Sequence, residues 1–353
     1  MFDAPIQLKD LQLEASFEKH ELQFNTPAKT SRETFITKDT YLLKVKYANL
    51  NFIGIGEASP LWSLSIDSKA GYTPMLNYVC EHINDWKDLL KGKLNQFPSI
   101  QFGLETALLD LSNGGNQIVY PSQFTEGKES IQINGLIWMN DFESMSSEIE
   151  KKIQNEFKCV KLKIGAINWE EELTLLKNIR NRFSEKDIEL RVDANGAFTP
   201  KEALFKLDEL AKLKIHSIEQ PIKSGQVEDM KKLCESTSIP IALDEELIGI
   251  STFKNKFDLL KEIQPQYIIL KPSLIGGIKG SNEWIKAAAT NDIDWWITSA
   301  LEGNFALNAI AQYVYQTKNK LPQGLGTGQL YSNNFHTNLS LINDQLNFTV
   351  RTF

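Results

Sequence analysis

Five charged side chains stand at the ends of five consecutive strand-like segments of the 353-residue chain. In chain order they are Lys163, Asp193, Glu219, Asp244 and Lys271, spaced 25 to 30 residues apart. Each interval is the length of one strand plus one helix, so the side chains are expected at the same end of neighbouring parallel strands. In a barrel built of such units, that end carries the active site.

The three acids in this series predict a metal site. A single acid after an apolar strand is often only a helix N-cap or a surface residue. Capping does not account for three acids in consecutive units between two lysines. Three carboxylates brought together repel one another unless a cation lies among them. Oxygen ligands without a histidine favour Mg²⁺, with Mn²⁺ as a second choice. The sequence therefore predicts that Asp193, Glu219 and Asp244 bind one divalent ion.

The two lysines predict proton transfer at the same site. A lysine beside a divalent cation has a lowered pKa and can act as a base near neutral pH. The matching task is removal of a proton next to a carboxylate whose oxygens bind the metal, which stabilises the negative charge that develops. Lys161 and Lys163 alternate with apolar residues, so both are expected to face the barrel interior. The alternative is that they are solvated lysines at a strand end.

Short apolar segments alternate with amphipathic ones from about residue 130 onward, which is typical of parallel βα units. An open doubly wound sheet is the competing fold, but the GxGxxG loop expected after its first strand is missing. The pattern favours a closed barrel. The predicted strands are 131–137, 159–164, 188–193, 215–219, 240–244, 267–271 and 294–299, with the glycine-rich 322–328 as a possible eighth.

The two ends of the chain have a different pattern. Residues 11–56 alternate like antiparallel strands, and helical segments follow at roughly 70–92 and 98–113. Residues 331–353 return to a strand-like pattern. We predict an α+β unit at the N-terminus, with the C-terminal tail packing back on it.

Five barrel motifs resemble those of the enolase superfamily, specifically its muconate lactonizing subgroup. The resemblance covers essentially the whole chain. It implies an α/β fold in which a (β/α)7β barrel (126–328) follows an α+β capping domain (1–125), which is completed by the tail (329–353). The motifs are Lys161-Leu162-Lys163, Asp193-Ala194-Asn195, Glu219-Gln220-Pro221, Asp244-Glu245 and Lys271-Pro272.

Four further segments resemble the o-succinylbenzoate synthase family within that subgroup: 56–61, 99–110, 299–304 and 324–328. That family dehydrates 2-succinyl-6-hydroxy-2,4-cyclohexadiene-1-carboxylate to o-succinylbenzoate in menaquinone biosynthesis. The resemblance implies that Lys163 removes the proton α to the ring carboxylate and then protonates the departing hydroxyl in a syn elimination. Lys271 would stabilise the intermediate from the opposite face, and Lys161 would assist Lys163 electrostatically.

The resemblance also implies supporting residues around the lysines and metal ligands. Asn195 and Glu245 are expected to orient these groups. Candidate substrate contacts are less specific, because serines in the cap loop could belong to an ordinary surface loop and Glu302 could be a helix-start acid. These candidates are Ser63, Ser65, Ser299, Glu302 and Asn304.

Other activities on the same scaffold remain open from the sequence. Two lysines on opposite faces suit an N-succinylamino acid racemase or a dipeptide epimerase equally well, and a muconate-type cycloisomerase is a further alternative. Residues 299–304 lack the Asp-x-Asp that dipeptide epimerases tend to carry there. A barrel kept only for binding would be expected to lose some of the five charges, and all five are present.

The composition predicts a cytoplasmic protein, while the small-molecule carboxylate substrate is predicted from the charged residues at the strand ends. A net charge of −7 argues against a nucleic-acid partner. Three cysteines without metal-type spacing fit a reducing compartment. We identify no signal peptide and no apolar run that approaches the ~20 residues of a membrane helix. The sequence does not specify an oligomeric state.

Overall fold

The computed structural model describes residues 6–29, 34–165 and 167–350. The outermost residues of the predicted first and last segments, 1–5 and 351–353, lie outside the described residues. The N-terminal part contains an antiparallel sheet of three strands in sequence order. The strands are Leu13–Lys29, Thr34–Tyr47 and Ile53–Ala58.

One helix, Pro98–Ser112, packs directly on this sheet, and all but one of its residues are buried. Glycines in the third strand make the close approach possible. A Cβ on Gly56 would lie 1.8 Å from the carbonyl oxygen of Gly103 in the helix. The buried strand residues and this helix form a hydrophobic core separate from that of the parallel sheet.

Seven parallel strands form the second sheet, and their order in space follows the chain order. Neighbouring strands run in the same direction because a helix returns the chain to the start of the next strand. The strands are Gly135–Ile137, Cys159–Lys163, Glu189–Asp193, Ser217–Glu219, Ile241–Leu243, Tyr267–Leu270 and Asp294–Ile297.

The segment predicted as an eighth strand makes isolated bridges instead of a strand. Gly324 forms a parallel bridge with Thr298 next to the last strand, and Gln323 forms one with Ile133 next to the first. The segment 323–324 thus contacts both edges of the seven-stranded sheet.

The predicted strand 131–137 is divided in two. Ile131–Gln132 pairs with the tail strand Gln345–Phe348, in a sheet completed by Leu339–Ile342. Only Gly135–Ile137 joins the parallel sheet. The tail therefore pairs with the residues that lead into this sheet. Just before its hairpin, however, the tail also contacts the first strand, through a bridge between Tyr331 and Phe24.

The helices follow the predicted periodicity, and side chains cap several of them. Thr199 and Glu202 form a reciprocal capping box at the start of one helix. The stretch predicted as helical over 70–92 forms an α-helix over Tyr72–Glu81 and then three short helical turns, Ile83–Asp85, Trp86–Asp88 and Leu89–Lys93. The remaining helices are Phe142–Gln154, Trp169–Arg182, Pro200–Lys212, Val227–Ser236, Phe253–Ile263, Gly277–Thr290 and Asn304–Thr317.

In the part of the chain that the structure describes, every helix is too short or too polar to cross a membrane.

Candidate active site

The five charged residues of the sequence pattern lie at the C-terminal ends of five adjacent strands. Lys163 pairs in register with Asp193, and Asp193 with Glu219. Asp244 and Lys271 directly follow the next two strands. The regular βα period thus brings all five groups to one end of the sheet, as their spacing predicted.

Lys161 lies between two of the acids. Its Nζ is 2.7 Å from Glu219 Oε2 and 3.1 Å from Asp193 Oδ2. Burial by itself lowers the pKa of a lysine, but the charges of these two carboxylates outweigh it and raise the pKa of Lys161. Lys161 is therefore a buried, charged group at the centre of the cluster.

Lys163 contacts Asp193 from the other side. Its Nζ is 2.9 Å from Asp193 Oδ2 and 2.6 Å from Asn195 Oδ1. Asn195 has a left-handed backbone, with φ of 46°, a conformation that asparagine tolerates better than most residues. Its amide donates to Glu245 Oε1 at 3.1 Å. Asn195 and Glu245 thus form a hydrogen-bonded support for Lys163, in the positions that the motifs predicted.

Lys271 lies at the opposite side of the site. Its ammonium group forms an ion pair with Asp244 and is 3.8 Å from Glu219 Oε1. Burial opposes the charge, but the nearby carboxylates, Asp244 above all, raise the pKa of Lys271. The lowered lysine pKa values predicted from the sequence belong to a site that holds a divalent cation, whereas Lys161 and Lys271 here lie against carboxylates, which favour their charged forms.

The acids are deeply buried, and their surroundings shift their pKa values in different directions. Burial would raise the pKa of Asp193, but Lys163 and Lys161 hold it well below its usual range. Burial, reinforced by the charge of Asp193, raises the pKa of Glu219 to about 7. Burial also raises the pKa of Asp244. As they stand, no three His, Cys, Asp or Glu side chains among the described residues are gathered closely enough to hold a metal ion. The ammonium groups of Lys161 and Lys271 lie against the three acids, and an ion bound there would take the place of these contacts.

A pocket of about 840 Å³, part of it open to solvent, lies over the charged cluster. Lys161, Lys163, Asp193 and Lys271 line its charged side. Its remaining lining is mostly apolar, and part of it comes from the N-terminal part of the chain. These residues are Phe35, Leu61, Leu64, Leu136, Trp138, Ala300 and Leu301.

Two of the five predicted substrate contacts, Ser63 and Ser299, line this pocket. Ser65 does not, and its hydroxyl group hydrogen-bonds to Asp67. Asn304 does not either, because its amide donates to the carbonyl of Phe335.

Glu302 is fully buried outside the pocket lining. It accepts hydrogen bonds from the hydroxyl groups of Ser273 and Ser299 and from the backbone N–H of Ala300. Its position fits the alternative of a structural acid at the start of a helix, because the helix Asn304–Thr317 begins two residues later.

Sequence reasoning missed several residues at this end of the sheet. Asn134, Trp138 and Thr298 line the pocket. Thr298 directly follows the strand Asp294–Ile297, so the rule that identified Lys271 would also have identified it. Gln220 accepts a hydrogen bond from the backbone N–H of Asp244 at 3.1 Å and so fixes the chain there.

Comparison with known proteins places this geometry in a family. Residues 144–347 match the family described as "Enolase C-terminal domain-like". The o-succinylbenzoate synthase of Desulfotalea psychrophila is 39% identical over 93% of this chain and 97% of its own.

Solved structures give the same picture. The crystal structure of MenC from Desulfotalea psychrophila superposes with a TM-score of 0.84 at 38% identity, covering 95% of this chain and 99% of that one. A dipeptide epimerase from Enterococcus faecalis, solved with Mg and the dipeptide L-Leu-L-Tyr, has a TM-score of 0.84 at 20% identity, covering 96% and 97%. The second likeness concerns the fold alone.

Proposed function

The chain belongs to the enolase superfamily, and from that premise we propose that it dehydrates 2-succinyl-6-hydroxy-2,4-cyclohexadiene-1-carboxylate to o-succinylbenzoate, a step of menaquinone biosynthesis. The observation that carries the proposal is the 39% identity with an o-succinylbenzoate synthase along nearly the full length of both chains. The chain is accordingly a lyase of a metal-dependent superfamily. Its two lysines, placed on either side of an acid cluster, suit this chemistry.

The finer architecture is also part of the proposal. We propose that the seven parallel strands close into a (β/α)7β barrel through the segment 323–324, whose bridges reach both edge strands. Residues 1–125 would form the capping domain, 126–328 the barrel and 329–353 the tail. The lining of the pocket by Leu61 and Leu64 supports a cap that covers the barrel mouth.

The residues that would hold the metal are Asp193, Glu219 and Asp244, with Mg²⁺ as the expected ion and Mn²⁺ as a substitute. Their donor set is three carboxylates, which suits a hard cation. Glu219 Oε1 is buried and accepts no hydrogen bond among the described residues, with the Lys271 ammonium group 3.8 Å away, so this oxygen could coordinate an ion without losing a hydrogen bond. When bound, the ion would take up the substrate carboxylate and stabilise the negative charge that develops there.

Lys163 is the proposed base and acid. Its Nζ, in the neutral form, removes the proton α to the ring carboxylate. The same Nζ then gives that proton to the departing hydroxyl group, which leaves as water. Asn195 holds this amine in place through its 2.6 Å contact. Lys271 stabilises the developing charge by its own positive charge from the opposite side, and Lys161 keeps the carboxylates between them in position.

A second candidate is racemisation or epimerisation of an N-acylated amino acid or a dipeptide. It is favoured by the same two lysines, because either could remove or return the α-proton from its own face. Cycloisomerisation of a muconate-type substrate is a third activity on this scaffold. These reactions differ from the dehydration in their products, so activity assays separate them.

The decisive assay gives purified protein the cyclohexadiene substrate with Mg²⁺ and follows the loss of diene absorbance. Formation of o-succinylbenzoate is expected. A parallel incubation with N-succinyl amino acids in D₂O detects racemase activity as α-deuterium exchange. Exchange without any consumption of the diene would replace the proposed function with the second candidate.

The reducing, cytoplasmic setting predicted from the sequence is part of the same proposal. Cys80, Cys159 and Cys234 are all free thiols, and two of them are buried. Free buried thiols are typical of proteins in compartments that do not form disulfides.

A further inference from the structure

Two buried oxygen atoms at the edge of the pocket accept and donate no hydrogen bond among the described residues. They are Asn134 Oδ1 and Thr298 Oγ1. Both residues line the pocket, and their side chains are almost fully buried, at 2% and 4% exposure. A buried polar atom without a partner destabilises the folded protein, so such atoms are expected to meet a ligand or a bound water.

Their positions place them together on one side of the site. Thr298 bridges Gly324, and the backbone N–H of Asn134 donates to the carbonyl of Gln323 at 2.9 Å. The two residues therefore flank the segment 323–324. In the order of the sheet, the strand of Lys163 lies between Asn134 and the strand that ends at Glu219. The strand of Lys271 lies between that same strand and Thr298. A substrate held by the acids would extend towards Asn134 and Thr298.

The two atoms differ in what they can bind. The amide nitrogen of Asn134 donates to the carbonyl of Gly135 at 3.2 Å, which leaves Oδ1 as a pure acceptor. The Thr298 hydroxyl can both donate and accept. An acceptor and a donor that line the same pocket, on either side of the segment 323–324, are together complementary to a hydroxyl group, because a hydroxyl donates through its hydrogen and accepts through its oxygen.

Only one group of the proposed substrate meets this description. Its two carboxylates and its ketone are acceptors at neutral pH, and they have no proton for Asn134 Oδ1. The ring hydroxyl is the single donor. We infer that Asn134 and Thr298 bind the hydroxyl group that leaves as water, Asn134 by accepting its hydrogen and Thr298 by donating to its oxygen. This inference rests on the proposed function.

The contact has a consequence for the elimination. The pair of electrons from the broken C–H bond forms the new ring double bond while the C–O bond breaks. The oxygen leaves with its own electron pair and takes the proton from Lys163, so water departs and the lysine is neutral again. A hydrogen bond from Thr298 strengthens as charge grows on that oxygen, so it stabilises the transition state more than the bound substrate.

The test compares substrate turnover with product binding, because o-succinylbenzoate keeps both carboxylates and the ketone but lacks the hydroxyl. Thr298→Val and Asn134→Leu are expected to lower kcat/KM for the diene by about 10-fold or more each. The Kd of o-succinylbenzoate, measured by calorimetry with Mg²⁺, should stay within about twofold of wild type, since no contact to the product is lost. Thr298→Ser keeps the hydroxyl and should recover most of the activity.

Thr106→Val is the matched control, because Thr106 is a buried threonine whose hydroxyl only contacts carbonyls of its own helix. It should leave kcat/KM near wild type. Equal losses of turnover and product affinity in the Thr298 and Asn134 variants would overturn the assignment and point to the succinyl arm instead. Unchanged kcat/KM would also overturn it. A wild-type protein that neither consumes the diene nor binds o-succinylbenzoate would reject the proposed function itself, and the assignment with it.

Discussion

Lys161 Nζ lies 2.7 Å from Glu219 Oε2, and the same ammonium group is 3.1 Å from Asp193 Oδ2. One lysine thus contacts two of the three acids that we propose as metal ligands, and Lys163 contacts Asp193 as well. The third acid, Asp244, is paired with Lys271. Three ammonium groups therefore face the three acids, and a divalent ion must compete with these groups for the same oxygens.

Mg²⁺ is expected to stabilise the folded protein, because it binds the native acid cluster and not the unfolded chain. At saturating Mg²⁺ the melting temperature should rise by roughly 2–5 °C above that of chelator-treated protein. Turnover should stop with the chelator and return with Mg²⁺. Asp193→Asn is the control, and its melting temperature should not respond to the ion. Full turnover after thorough metal removal would contradict the metal site.

Lys163→Ala should lower kcat by at least about a thousandfold, because it removes the amine that we propose takes the proton and returns it to the leaving hydroxyl group. Circular dichroism should show an intact fold, since the change leaves the backbone pairing of the strand Cys159–Lys163 in place. Lys158→Ala is the matched control, as an exposed lysine one residue before the same strand. Near-normal activity of Lys163→Ala would refute the assigned base.

Gly277→Ala should destabilise the protein by roughly 1–3 kcal/mol in urea unfolding. Gly277 has φ of 73°, and an added Cβ would lie 2.2 Å from Glu105 Oε2. Gly225→Ala separates the strain of a positive φ from the clash with Glu105, because Gly225 has φ of 85° with nothing within 4 Å of its Cβ position. The Gly277 variant should therefore lose more stability than the Gly225 variant, and equal losses would show that the contact with Glu105 is unimportant.

Glu105 should make stability depend on pH. Burial raises its pKa to about 7, against hydrogen bonds from the N–H groups of Ile278 and Lys279 that lower it. The folded state therefore keeps the Glu105 proton to higher pH than the unfolded chain does. Its contribution to stability is largest below pH about 4.5, falls as the pH rises towards 7 and is constant above that.

The measurement is urea unfolding between pH 4.5 and 8 for wild type and Glu105→Gln. The stability of wild type relative to the variant should decline up to about pH 7 and then level off. Exposed Glu171→Gln is the control, and its free energy of unfolding should change with pH in parallel with that of wild type. A difference between wild type and Glu105→Gln that does not change with pH would mean that the folded-state pKa of Glu105 is ordinary.

The position of the charged site could be predicted from the sequence because a repeating unit of one strand and one helix builds the site. One strand and one helix occupy 25 to 30 residues, so Lys163 through Lys271 had to meet at one end of the sheet. The pairing of Lys161 with Glu219 could not be predicted. It depends on which side chains come within 3 Å of each other once the strands are in register.

Two features could not be predicted from the sequence because their partners lie far away along the chain or depend on the folded structure. The sequence left Glu302 open between a substrate contact and a helix-start acid, and in the structure two serine hydroxyls and a backbone N–H donate to its oxygens. The strand predicted over 131–137 is divided because the tail, more than two hundred residues later, pairs with Ile131 and Gln132. An apolar run does not reveal which of two distant partners it will join.

Two carboxylates of the N-terminal part accept hydrogen bonds from backbone N–H groups at the starts of two helices that flank the parallel sheet. Glu57 accepts from the N–H groups of Gly303 and Ala306, and Glu105 accepts from that of Ile278. A Cβ on Gly303 would lie 2.8 Å from Glu57, so this glycine is matched to its acid. Hybrid chains that join the first half of one relative to the second half of another would therefore fold well only if these acids and their glycines were inherited together.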